Sequence, residues 1–141
     1  MLRVVADANV LISAALARSP NAPSVMILEA ALDRRLDLLT SPQLLNEITS
    51  VLKRPRLRKY LSTDEALRFV ADLAAQTILL TDPPGAPATV CRDPKDDYLV
   101  ALATAREADA IVTGDPDLHA IDTSQLGIEI LTPRQLVDRL A

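Results

Sequence analysis

Five short apolar runs punctuate the chain: RVVAD (3–7), DLLTS (37–41), TILLT (77–81), DAIVTGD (109–115) and GIEIL (127–131). Each is rich in leucine or β-branched residues and bounded by polar or turn-forming ones, the signature of a strand. Between them apolar positions recur at helical spacing over 9–17, 22–35, 42–53, 62–75 and 94–107, and once more over 133–140. Strands alternating with helices predict a parallel sheet wrapped by helices. Ala110, Ile111 and Val112 are apolar in succession, as expected of a strand covered on both faces. Helix starts are marked chemically: SPQLLNE and TPRQL place Ser or Thr before a first-turn proline, and STDE is a capping box. The stretch TDPPGAPATV (81–90) reads as an ordered surface loop. Neither an internal repeat nor a low-complexity segment is present.

At 141 residues the pattern fits one domain, 1–141, large enough to bury a core without disulfides. The single cysteine, Cys91, allows no intramolecular bridge, and the opening residues carry no secretory pattern because Asp7 interrupts the first apolar run. These features lead to the expectation of a reduced, cytoplasmic protein. No apolar run approaches the roughly 20 residues of a membrane-spanning helix. Aromatic residues make up 2% of the chain, too few for a base-stacking platform. A net charge of −4 speaks against nucleic-acid binding through bulk positive charge.

The placement of acids changes the picture. Ligands of a parallel sheet bind outside the carboxyl ends of its strands. Asp7 follows the first strand, Asp115 and Asp117 follow the fourth, and DPKDD brings Asp93, Asp96 and Asp97 to a helix start. Each has a local explanation as well: Asp7 as a cap for the helix near Asn9, Asp93 as an N-cap before Pro94, Asp97 as a first-turn charge, and Asp115 and Asp117 as a turn around Pro116. Glu47 lies on the border of the stripe formed by Leu44, Leu45, Ile48, Val51 and Leu52, where a snorkelling or ion-paired glutamate also fits. Together, like charges about 4 Å apart repel by roughly 4 kcal/mol at an effective dielectric near 20, so a shared site needs protons, basic partners or a cation. An all-carboxylate set suits magnesium or manganese; zinc would want more than one histidine and one cysteine.

The order DANVLISA, SPQLLNEITSVL, CRDPKDDYLVALATAREADAIVTGDPDL and GIEILTPRQLV resembles the PIN-domain family of nucleases, particularly its small toxin-like members of the VapC type, over essentially the whole chain. The segment from Cys91 to Leu118 is the most specific part. The resemblance implies a three-layer α/β/α fold around a parallel sheet of about five strands. It further implies an Mg2+- or Mn2+-dependent endoribonuclease whose catalytic acids match Asp7, Glu47, Asp97 and Asp115 in this chain. On that reading Asp7, Asp97 and Asp115 hold metal directly, and Glu47 holds it through water or orients the attacking water. Asn9 and Thr113 support them with hydrogen bonds. Asp96 and Asp117 compete with their neighbours for the third and fourth places. A cognate antitoxin and a homodimer are implied as well.

KRPRLRK concentrates Lys53, Arg54, Arg56, Arg58 and Lys59 with no acid among them, which suits a grip on RNA phosphates or, equally, a solvated helix end. His119 reads as a surface or turn residue and Cys91 as a small buried or loop thiol. Other activities compete with the toxin reading. A PIN nuclease of RNA processing needs no antitoxin. Haloacid-dehalogenase-like phosphotransfer starts from a strand ending in Asp-x-Asp, and here Asn9 replaces the second acid. A non-catalytic partner-binding domain would have no need of clustered carboxylates.

Overall fold

Strand order in the computed structural model, which describes residues 1–141, is β3-β2-β1-β4-β5, with every neighbouring pair parallel. The strands are β1 (Arg3–Ala6), β2 (Asp37–Thr40), β3 (Ile78–Leu79), β4 (Ala110–Val112) and β5 (Glu129–Leu131). The helices are α1 (Ala8–Leu16), α2 (Pro23–Leu32), α3 (Pro42–Leu52), α4 (Thr63–Gln76), α5 (Asp97–Ala105), α6 (Pro116–His119) and α7 (Pro133–Leu140). A three-layer α/β/α architecture follows, as the alternation of runs predicts. Parallel crossovers are right-handed, so the connections leading outward from β1 through β2 to β3 cover one face, and the return to β4 covers the other. On the first face α1 meets α2 and α3, α3 meets α4, and α7 returns onto α2; α5 packs on β1 and β4.

Burial explains the strand sequences. Val4, Val5, Ala6, Leu38, Leu39, Ile111 and Val112 are all essentially inaccessible, so the central strands are apolar on both faces. At the edge, β3 is only two residues long, and Ile78 and Leu79 stay partly exposed. Short length blunts an otherwise open edge.

The caps work as the sequence leads one to expect. Ser41 accepts from the Leu44 N–H with Pro42 in the first turn, while Ser62 with Glu65 and Thr132 with Gln135 form reciprocal capping boxes. Several ends shift by a few residues, and two segments differ in kind. The predicted helix over 94–107 opens as a single 3-10 turn, Pro94–Asp96, and becomes α-helical only from Asp97. Here the Asp93 side chain accepts from the Lys95 N–H and pulls the chain into a tighter turn. TGDPDL, which reads as a turn, contains the short helix α6, capped by Asp115. A further 3-10 turn, Pro55–Leu57, lies inside the basic stretch.

With the order β3-β2-β1-β4-β5, the chain first winds away from β1 on one side and then returns to wind away on the other. The carboxyl ends of β1 and β4 therefore flank the switch point, where connections diverge and leave a crevice.

Candidate active site

Register alone brings the first two polar residues together. Ala6 pairs with Val112, so the next residues along each strand, Asp7 and Thr113, emerge side by side. The Asp7 N–H still donates to the Val112 carbonyl at 2.9 Å, and the Thr113 N–H to the Leu131 carbonyl at 2.9 Å, fixing both backbones. Thr113 is fully buried; its hydroxyl donates to Asp7 Oδ2 at 2.8 Å and accepts from the Asp115 N–H at 3.0 Å. Asp7 Oδ1 accepts from the Asn9 N–H at 3.3 Å, at the positive end of α1. Capping and site placement are thus the same bond pattern. The chain can bury a carboxylate at the end of β1 because both of its oxygens accept hydrogen bonds.

Across the crevice, α3 starts directly after β2 and carries half-buried Glu47 on the border of its buried Leu44, Ile48 and Leu52 face. Tyr98, buried on α5, donates its hydroxyl to Glu47 Oε2. Burial, then this bond, then the charges of Glu47, Asp7 and Asp96 push the phenol well above its usual range, so it remains a proton donor. Asp115 accepts from the Asp117 N–H at 2.9 Å through Oδ1 as the cap of α6. Asp117 itself lies beside the exposed Arg92 guanidinium at 3.6 Å.

The adjacent acids Asp96 and Asp97 have opposite environments. Asp97 is buried, and its Oδ1 accepts from the Cys91 N–H at 2.7 Å and the Val90 N–H at 3.0 Å. Those two donors hold its carboxyl below the usual range. Its charge is committed to pinning the loop before α5. Asp96 is half-buried and pushed up to about 6, first by burial and then by Asp7, Asp93, Asp115 and Glu47. Asp96 is thus the acid of the pair that feels Asp7, Asp115 and Glu47, whereas the sequence resemblance assigns the metal-holding place to Asp97. Helical phase could not separate them, because the residues straddle the change from 3-10 turn to α-helix.

Asp7, Glu47, Asp96 and Asp115 share one region, but no three acidic, imidazole or thiol groups stand preassembled as a cation cage. The donor set still fits a hard divalent cation: it is all oxygen, and after burial it is the charges of Asp7, Asp93, Asp115 and Glu47 that push Asp96 up. Magnesium in particular binds through one or two carboxylates and keeps several waters, so a tight cage is not required. Burial and then Asp97 push the Cys91 thiol up to about 12, so it stays a neutral thiol beside the acids. His119 is exposed at the end of α6, and its Nε2 lies 2.8 Å from the Thr113 carbonyl oxygen, beneath the acid-bearing loop.

In the basic stretch Lys53, Arg54, Arg56 and Lys59 are exposed, with the Lys59 ammonium 5.1 Å from the centre of the Tyr60 ring. Arg58 departs from its predicted place on the phosphate-binding face: Nη1 donates to Thr63 Oγ1 at 3.0 Å, while Nε and Nη2 are enclosed and unpartnered. Its guanidinium is thus tied to the start of α4 and half-buried. Sequence reasoning missed Tyr98, whose signal was a polar-tipped ring in an otherwise apolar helix beside paired acids, and Arg92, which carries no periodic signal at all.

The acids converging at the switch point of a parallel sheet define a class. Residues 3–117 match the family model of the PIN domain, and the chain belongs to that family, placing it among the PIN nucleases. Among individual relatives, the uncharacterized protein MJ1680 of Methanocaldococcus jannaschii is 28% identical over 145 residues, covering 97% of this chain and 90% of that protein. The fold is similar to VapBC2 from Rickettsia felis, solved bound to a DNA fragment from its promoter (TM-score 0.63, 12% identity, 93% of this chain and 98% of the other). It is also similar to PAE2754 from Pyrobaculum aerophilum (TM-score 0.59, 19% identity, 99% of this chain and 89% of the other).

Proposed function

We propose that this protein is a divalent-cation-dependent endoribonuclease, hydrolysing RNA phosphodiesters with Asp7, Glu47, Asp96 and Asp115. The observation that carries the reading is the meeting of these acids at the carboxyl edge of β1 and β4, with Asp96 left short of compensating charge. Mg2+ or Mn2+, when bound, supplies positive charge for the phosphorane-like transition state and activates water. Asp7, Asp96 and Asp115 are the residues that would hold it directly, with Asp117 beside Asp115; Glu47 would hold it through a bound water and orient the attacking water. Thr113 keeps Asp7 and the Asp115 backbone in mutual register, and Asn9 contributes its N–H to Asp7. Asp97 serves the site indirectly by fixing Val90 and Cys91. Lys53, Arg54, Arg56 and Lys59 hold RNA phosphates beyond the far end of α3, with Arg58 bracing that surface.

On this reading the chain acts in the cytoplasm as the toxin of a toxin-antitoxin pair, as a homodimer with a cognate antitoxin as partner; the likeness of its fold to VapBC2 is in keeping with the antitoxin. No helix is long and apolar enough to cross a membrane. The test is cleavage of end-labelled single-stranded RNA by the purified, antitoxin-free protein in Mg2+ or Mn2+. Cleavage should disappear with EDTA and fall at least about 100-fold in Asp7→Asn and in Asp96→Asn. Full activity in Asp96→Asn would remove Asp96 from the site; no cleavage of any RNA by the wild-type protein would defeat the nuclease reading.

A further inference from the structure

We propose that Tyr98 is a positioning residue for the reaction: its hydroxyl fixes the Glu47 carboxylate in the orientation that the acid cluster uses. The inference rests on the nuclease reading above.

Glu47 stands on the border of the buried face of α3, where a glutamate with three rotatable bonds can swing outward to water. Nothing on its own helix restrains it; its one hydrogen-bond partner is Tyr98, 51 residues away on α5. Tyr98 suits the task because it has two side-chain torsions and a ring buried in the core, so its hydroxyl is already aimed before Glu47 arrives. The bond occupies Oε2 and leaves Oε1 for water or a cation. A phenylalanine would fill the same volume, so packing does not account for the hydroxyl. The segment around the start of α5 then has three separate duties: Asp97 pins the preceding loop, Asp96 faces the other acids, and Tyr98 secures the acid contributed by α3.

The test is Tyr98→Phe alone and combined with Glu47→Gln, each assayed for RNA cleavage in Mg2+ and, separately, for Mn2+ affinity by titration calorimetry. Tyr98→Phe should lower kcat about 10- to 100-fold, the usual cost of losing a residue that orients a metal-site carboxylate, with KM for RNA unchanged. A structural defect would move stability and KM as well. Mn2+ affinity should weaken several-fold in Tyr98→Phe. In the Glu47→Gln background neither quantity should fall further, because residues acting through one group are not additive. Wild-type kcat and Mn2+ affinity in Tyr98→Phe, or losses that multiply in the double variant, would overturn the proposal. If the wild-type protein binds Mn2+ with this non-additive pattern but cleaves no RNA, the nuclease reading fails and the positioning role stands; if it binds no Mn2+, both fall.

Discussion

Neutralising Asp96 should make the metal-free protein more stable while destroying its activity. Asp96 is pushed up from 3.8 to about 6, by burial and by Asp7, Asp93, Asp115 and Glu47. At 1.36 kcal/mol per unit, that rise corresponds to about 3 kcal/mol of unfavourable energy in the ionised form before screening. Asp96 is only half-buried, so solvent reduces the figure to about 1 kcal/mol. A carboxyl whose pKa is higher folded than unfolded binds its proton more tightly when folded. Its contribution therefore favours folding below about pH 4 and is lost as pH rises through about 6. Asp96→Asn keeps the shape and deletes the charge. In EDTA at pH 7.5 it should raise the melting temperature by about 3–5 °C for a chain of this size, and the gain should vanish near pH 4. Asp97→Asn is the internal control: it weakens a charged acceptor of two backbone N–H groups and should lower the melting temperature at pH 7.5. Circular-dichroism melts of the three proteins across pH 4–8 decide the matter. If Asp96→Asn melts at or below wild type at pH 7.5, the acids do not crowd Asp96 and the proposed site loses its main physical support.

Saturating Mg2+ or Mn2+ should stabilise the wild-type protein; at a hundred times Kd the linkage is about 2.7 kcal/mol, read as a melting shift that Asp7→Asn and Asp96→Asn largely abolish. Thr113→Val deprives Asp7 Oδ2 of its donor and the Asp115 N–H of its acceptor, and should cost about 1–3 kcal/mol in urea unfolding together with most of the cleavage activity. Replacing Arg54 and Arg56 together by Ala should weaken RNA binding and reduce the slope of log affinity against log salt by about 1.4, at roughly 0.7 per phosphate contact; an unchanged slope would move the RNA path elsewhere. Arg58→Ala, by contrast, should show itself mainly in a lower melting temperature, because its guanidinium is half-buried and tied to the start of α4.

The fold was legible because its signals are local and mutually consistent. Apolar runs such as RVVA and AIV can be covered only from both sides, and Ser41, Ser62 and Thr132 mark helix starts by their own side-chain bonds. The edge strand was legible in position but not in extent, because pairing on one side alone sustains only Ile78 and Leu79. Asp7 and Thr113 could be anticipated, since acids and hydroxyls directly after parallel strands are carried to one edge. The opposite environments of Asp96 and Asp97 could not. They depend on the change of helical pitch at a single residue, and on two backbone amides from the preceding loop that capture the Asp97 carboxylate. Arg58 escaped for a related reason: a run of five cations reads as one surface, whereas the 3-10 turn at Pro55–Leu57 rotates this one inward.

That capture also explains why two adjacent aspartates are useful at this point. A single carboxylate cannot accept from Val90 and Cys91 and also turn to the other acids with its charge unspent. Division of labour resolves the conflict: Asp97, lowered by its amides, gives the loop a fixed end, and Asp96, raised by burial and by its acidic neighbours, has no hydrogen bond that commits its oxygens. The arrangement is stable only because the cost falls on one partly solvated group while the buried acid, Asp7, has hydrogen bonds to both oxygens. Exchanging the roles, with the loop-bound carboxylate facing the crevice, would leave two backbone N–H groups without acceptors and crowd a buried charge against its like. The fold therefore places the unsatisfied acid where water or a cation can reach it and the satisfied one where neither is needed.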